Sequence, residues 1–208
     1  MMPIVPGLSP RSRHHSPRSA MVVRPHPRSP TLGLLAVDGR VMTCALGKGG
    51  LSARKREGDG ATPIGRFHTL ALIYRRERTD GAGGTLPRRP VRADDGWADD
   101  PASGLYNRHV WLPCPVPHER LMRDDGLYDV VVMIDHNTRP RVRGLGSAVF
   151  LHCAREGMTP TAGCVALPPD VWRRLGGTLL SARPIVIAAS PRPVRKRRTF
   201  RHKRRSAI

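Results

Sequence analysis

The sequence predicts a mostly β domain, a sandwich or barrel of short strands with one or two short helices. Three observations carry this. Seven or eight short apolar or β-branched runs are separated by turn residues. Gly and Pro number 21 each with no repeat period, which calls for many turns. Only one stretch shows helical spacing over more than two turns.

The elements follow in order. Leu32–Val37 and Arg40–Leu46 flank Asp38-Gly39, the pattern of a β-hairpin with a two-residue turn. The segment 47–65 is rich in Gly and charge and reads as a loop. Arg66–Arg76 is a strand carrying Phe67, Leu70, Leu72, Ile73 and Tyr74. Asp80–Gly104 reads as a long polar loop with two acidic pairs, Asp94-Asp95 and Asp99-Asp100, as a solvated face. His109–Leu112 is a short strand, and Pro117–Met122 one or two helical turns. Tyr128–Asp135 contains Val130-Val131-Val132-Met133-Ile134, the run of a buried strand. Ser147–Cys153 is another strand. Pro168–Leu180 is a helix, opened by Pro168-Pro169-Asp170 and patterned by Val171, Trp172, Leu175 and Leu179. Pro184–Ala189 is the last strand.

The charge is uneven. The formal charge of the 208 residues is +20. Residues 1–30 hold five Arg and 190–208 hold nine Lys or Arg, with no acid in either. The middle keeps 22 basic and 16 acidic residues, a formal +6. This divides the chain into a structureless basic segment at 1–30, a folded domain at 31–189 and a basic tail at 190–208. The tails fit an anionic polymer or membrane surface through simple electrostatics. With Phe200 the single aromatic of the C-terminal tail, specific nucleic-acid readout is not expected. The opening residues do not form the apolar run of a secretory signal, and no run of about 18 apolar residues predicts a membrane span.

Cys44, Cys114, Cys153 and Cys164 match neither a disulfide framework nor a zinc ribbon. His152 and Cys153 are adjacent on a strand and face opposite ways, so they do not share an ion. No metal or cofactor is expected. Cys164 stands apart in Thr161-Ala162-Gly163-Cys164-Val165-Ala166-Leu167, twelve residues after His152. A thiol needs a base or a positive neighbour to act as a nucleophile, and a His on the preceding strand supplies one. Gly163 leaves the backbone open for an oxyanion hole. On residue types alone the plainer reading, a small buried hydrophobe at Cys164, is the commoner one.

The segment Ser147-Ala148-Val149-Phe150-Leu151-His152 with Thr161-Ala162-Gly163-Cys164-Val165 resembles the active-site motif of the YkuD-type L,D-transpeptidases. Asp59-Gly60-Ala61-Thr62-Pro63-Ile64-Gly65-Arg66-Phe67 resembles that family's Thr-Pro-x-Gly-x-Phe/Tyr segment. Tyr106-Asn107-Arg108 and Tyr128-Asp129-Val130-Val131 are also similar. The resemblance implies a YkuD-like β-sandwich or barrel. It implies a cysteine nucleophile, Cys164, with His152 moving the proton. Backbone N–H groups of Gly163 and Cys164 would hold the oxyanion. The Cys153 carbonyl would orient the imidazole, and Thr161 would brace the loop. The implied activity is peptidoglycan L,D-transpeptidation through a thioester on stem peptides, as a carbapenem target in the cell envelope, with the cytoplasm as the alternative location since no secretory signal is read. Hydrolysis by the same fold, as a carboxypeptidase, is the alternative acceptor chemistry. A basic nucleic-acid or envelope-binding protein with a silent Cys is the non-enzymatic alternative. Ala166 stands where many members carry Arg, which leaves Arg155 or Arg108 as the expected contact for the donor carboxylate.

Overall fold

The computed structural model describes residues 19–79 and 83–189. The strands are β1 (Met21–His26), β2 (Ser29–Val37), β3 (Arg40–Ala45), β4 (Leu51–Ser52), β5 (Thr62–Pro63), β6 (Gly65–Tyr74) and β7 (Arg88–Pro90). They continue as β8 (Asp95–Ala98), β9 (Arg108–Trp111), β10 (His118–Arg120), β11 (Val130–Ile134), β12 (Phe150–Cys153), β13 (Val165–Leu167) and β14 (Pro184–Ile187). One α-helix, α1, spans Pro169–Leu179 between β13 and β14.

The main sheet runs β11-β12-β13-β3-β2-β1-β14-β6-β7, and β6 also pairs with β11. That second pairing closes eight of the strands into a barrel, so they present no free edge. Strand β6 achieves it by length. Its first half pairs with β14 and its second half with β11. The barrel interior is aliphatic: Leu35, Leu72, Val132, Leu151, Val165 and Ile185 are buried together. Helix α1 covers this core with Val171, Trp172 and Leu179, the apolar stripe its sequence spacing predicts.

A second apolar layer lies on the outer face of β6, β11 and β12. Ile73, Val131, Met133 and Phe150 form it, with Trp97 and Leu121 packed on top. Trp97 belongs to a separate three-stranded sheet, β10-β8-β9, and meets Phe150 edge-on at 5.1 Å between ring centroids. This small sheet is a wall over the face that carries the site.

Several sequence-based expectations change. Residues 21–30 are not structureless: they form β1 and the start of β2. Met21 and Val23 alternate inward and are fully buried, a two-residue signal hidden among Pro, Arg and Ser. The expectations for residues 1–18 and 190–208 lie outside the described residues. The stretch from 83 to 104 is not one polar loop, because β7 and β8 lie in it. Residues 118–120 are a strand, not a helical turn; β10 pairs antiparallel with β8. Strand β13 follows Cys164 directly, where no strand was expected, because three residues are too few to show a period. Asp95 is not solvated either. It is completely buried, held by both guanidinium nitrogens of Arg89 at 2.6 and 2.7 Å and by the Arg92 amide at 2.7 Å. These contacts hold its carboxyl far below the usual carboxylate range against the opposing pull of burial.

Candidate active site

Strands β12 and β13 run parallel, with Leu151 opposite Val165 and His152 opposite Ala166. Side chains alternate across a sheet, so Phe150, His152, Cys164 and Ala166 share the outer face. Cys164 is thus the diagonal neighbour of His152, two residues before its partner Ala166 and immediately ahead of β13. Diagonal neighbours on one face lie about 7–8 Å apart, within reach of an imidazole. Both residues line one cleft of about 910 Å³.

The imidazole is fixed from three sides. Its Nδ1 lies 2.8 Å from the Cys153 carbonyl. A carbonyl only accepts, so Nδ1 carries the proton and Nε2 is left as the basic nitrogen. Tyr128 packs edge-on against the ring at 5.3 Å. Trp172 of α1 donates its indole N–H to the His152 carbonyl at 3.2 Å, which ties the strand itself to the helix. Burial lowers the imidazole to about 4, so the ring is neutral in the resting site.

The thiol is also placed by backbone. Cys164 Sγ donates to the Ala148 carbonyl at 3.2 Å and accepts from the Phe150 amide at 3.3 Å. Burial pushes the thiol up to about 12, and the Phe150 N–H works against that rise by favouring the anion. Proton on sulfur and neutral imidazole is the resting state.

The loop before Cys164 is locked by hydroxyls. Thr161 Oγ1 donates to the Cys164 carbonyl at 2.8 Å and accepts the Gly163 amide at 3.1 Å. Thr62 Oγ1 donates to the same carbonyl at 3.3 Å and accepts from the Gly47 amide at 2.8 Å. Gly163 sits at φ +143, and a Cβ there would come within 3.0 Å of the Ala61 carbonyl. Glycine is therefore required both by conformation and by space. Its amide is used by Thr161 Oγ1 in this structure, so Gly163 sets the shape of the loop before the thiol.

The remaining sequence-predicted residues divide. Thr161 ties the loop together through its hydroxyl. Cys153 contributes its carbonyl only; its thiol points into the barrel core and is pushed up to about 12 by burial. Arg155 lines the cleft and is 57% exposed, 3.7 Å from Asp125. Arg108 does not line the cleft and is exposed on β9.

Four residues escaped the sequence reading. Lys55 and Glu57 line the cleft from the loop between β4 and β5. Glu57 accepts from the Tyr106 hydroxyl and from Ser147 Oγ. Glu119 on β10 accepts from Tyr128 O–H at 2.7 Å, and burial raises its carboxyl. Arg123 lies over the Tyr128 ring at 5.3 Å and binds Asp125. The only sequence signal for any of these was their nearness to the Thr62-Pro63 and Tyr128 motifs.

A fold of this kind, with a His and a Cys on adjoining parallel strands facing one cleft, defines a class of cysteine-containing β-barrel domains. The model of the L,D-transpeptidase catalytic domain, YkuD, matches residues 28–187, and the chain belongs to that family. Among solved structures, the chain is similar to an L,D-transpeptidase from Mycobacterium smegmatis at 18% identity and a TM-score of 0.39, covering 81% of this chain and 58% of that one. It is similar to Mycobacterium tuberculosis L,D-transpeptidase 1 at 17% identity and a TM-score of 0.34, covering 81% and 61%. An LD transpeptidase in complex with imipenem aligns at 15% identity and a TM-score of 0.36, covering 81% and 59%. The chain thus spans about three fifths of the length of these structures. No curated protein sequence matches it. Among the described residues, no helix is long and apolar enough to cross a membrane.

Proposed function

We propose that the protein is a cysteine-dependent peptidoglycan L,D-transpeptidase working through a thioester on Cys164. The observation that carries this is the placement of His152 and Cys164 on one sheet face, with Nδ1 tied to the Cys153 carbonyl and Nε2 left as the base. In the first half-reaction, Nε2 takes the Sγ proton and the sulfur attacks the donor's peptide carbonyl carbon. The carbonyl oxygen becomes an oxyanion beside the Cys164 amide. The C–N bond breaks, and the imidazolium returns its proton to the leaving amine. In the second half-reaction, His152 takes a proton from the acceptor amine as it attacks the thioester. The sulfur leaves and is reprotonated. The cleft is lined by both carboxylates and cations, which suits zwitterionic stem peptides. Arg155 lines this cleft, is 57% exposed and sits 3.7 Å from Asp125, and it is our assignment for the donor carboxylate. We take a peptidoglycan substrate to imply action in the cell envelope.

Mass spectrometry after incubation with a carbapenem tests the reading. A covalent adduct on Cys164, absent from Cys164→Ala, is expected; an intact thiol that never acquires one would sink it. Products from a tetrapeptide donor, with and without an amine acceptor, then separate transfer from hydrolysis.

A further inference from the structure

We propose that Lys55 is the fixed cation of the nucleophile's pocket, placed to stabilise Cys164 as a thiolate. This rests on Cys164 being the nucleophile and adds a positioning residue to that site.

Lys55 is only 8% exposed, a rare state for a lysine unless it is paired. Its ammonium donates to the Arg56 carbonyl at 2.7 Å and to the Asp59 carboxylate. Two of its three N–H bonds are thereby used, and the third has no acceptor among the described residues. The stem is wedged between two glycines that flank the site. A Cβ on Gly146 would lie 3.0 Å from Lys55 Cγ and Cε, and one on Gly163 would lie 3.7 Å from Cε. Gly163 is the residue before the nucleophile, and Gly146 begins the lead into β12. Lys55 lines the same cleft as Cys164 and His152.

The Lys55–Asp59 pair is asymmetric. The Lys55 side chain is 8% exposed and that of Asp59 25%. Water screens the carboxylate more than the ammonium, so the field reaching the cleft is net positive. Arg120, Arg123 and Arg155 also line the cleft, Arg123 and Arg155 beside Asp125, but Lys55 is the cation that acts on the thiol. Glu119 from β10 raises the thiol, Tyr128 is neutral, and His152 is neutral in the resting site. Glu57 adds a further carboxylate to the cleft. The Phe150 N–H and the Lys55 charge are the two influences that favour the anion.

The test compares the full chain with Lys55→Gln, which keeps a donor for the Arg56 carbonyl but removes the charge, and with Lys55→Arg, which keeps the charge. Iodoacetamide alkylation of Cys164 is followed by peptide mass spectrometry across about pH 7 to 10. Below the thiol's titration the rate tracks the thiolate fraction. The Lys55→Gln profile should be displaced upward by about one unit, a tenfold slower reaction at each pH. Lys55→Arg should stay within about threefold of wild type. If Lys55→Gln fails to fold, the pair Lys55→Gln with Asp59→Asn removes both charges and is expected to shift in the same direction. An unshifted profile in the folded variant overturns the proposal. So does Lys55→Arg shifting as far as Lys55→Gln, which would mean that shape and not charge matters. A shifted alkylation profile with no carbapenem adduct in wild type would leave Lys55 in its role and remove the transpeptidase reading.

Discussion

Gly163→Ala tests how the loop presents the thiol. Gly163 has φ +143, a conformation that costs an L side chain about 1–3 kcal/mol. The new methyl would also stand 3.0 Å from the Ala61 carbonyl, tighter than ordinary contact, so the loop or the Thr62 segment has to move by a few tenths of an ångström. For a domain of this size each kcal/mol lowers Tm by about 2–4 °C, which gives a fall of about 2–12 °C. Catalysis should suffer more than stability. Thr161, Thr62 and the Phe150 amide hold Cys164 from three directions, so a displaced Gly163 moves Sγ against all of them. A 1 Å misplacement costs about a hundredfold in rate, and we expect acylation to slow by about ten- to a hundredfold. The assay pairs scanning calorimetry with the rate of carbapenem adduct formation on Cys164. Gly104→Ala is the control: it has open space around it and no left-handed φ, and its Tm should stay within about 1–2 °C. The reasoning is refuted if Gly163→Ala melts and acylates like wild type.

Thr161→Val removes the donor to the Cys164 carbonyl and the acceptor of the Gly163 amide; it should destabilise by about 1–2 kcal/mol and slow acylation more than Thr62→Val, whose bond is longer. Urea midpoints and adduct rates check both. His152 titrates near 4 when folded against 6.5 as a free side chain. Between these values the unfolded chain binds the extra proton, so the His152 contribution to stability is lost as pH falls from 6.5 to 4, by up to roughly 3 kcal/mol. His152→Gln should flatten that limb of the pH–stability curve, read by urea unfolding at several pH values. Asp95→Asn leaves Arg89 buried beside a neutral amide and should cost about 3 kcal/mol, seen as a fall of roughly 6–12 °C in Tm. Deleting 190–208 should weaken salt-dependent retention on an immobilised polyanion while leaving Cys164 acylation within about twofold.

The strands that bury both faces or alternate cleanly were legible in the chain. Leu32–Leu46 with Asp38-Gly39, the Val130–Ile134 run and the helix from Pro169 announced themselves, because burial writes its period directly into residue type. His152 and Cys164 were legible as a pair because they sit in motifs of fixed local order. Strands of three or four residues, such as β7, β8, β10 and β13, carry too few alternations to show a period, and their partners lie far off in sequence. Asp95 looked solvated because its partners Arg89 and His109 meet it only after β7, β8 and β9 assemble.

What the sequence determined by itself, then, was a β-rich chain with its charge concentrated at the ends and a thiol and an imidazole spaced for neighbouring strands. Tertiary structure alone decided that β6 closes the barrel onto β11 and that Nδ1 of His152 meets the Cys153 carbonyl. It also set Lys55 against Gly163, 108 residues further along the chain. The physical reason is range: propensity and period act over a few residues, whereas the field and hydrogen bonds at a buried thiol come from whichever segments the closed sheet packs around it.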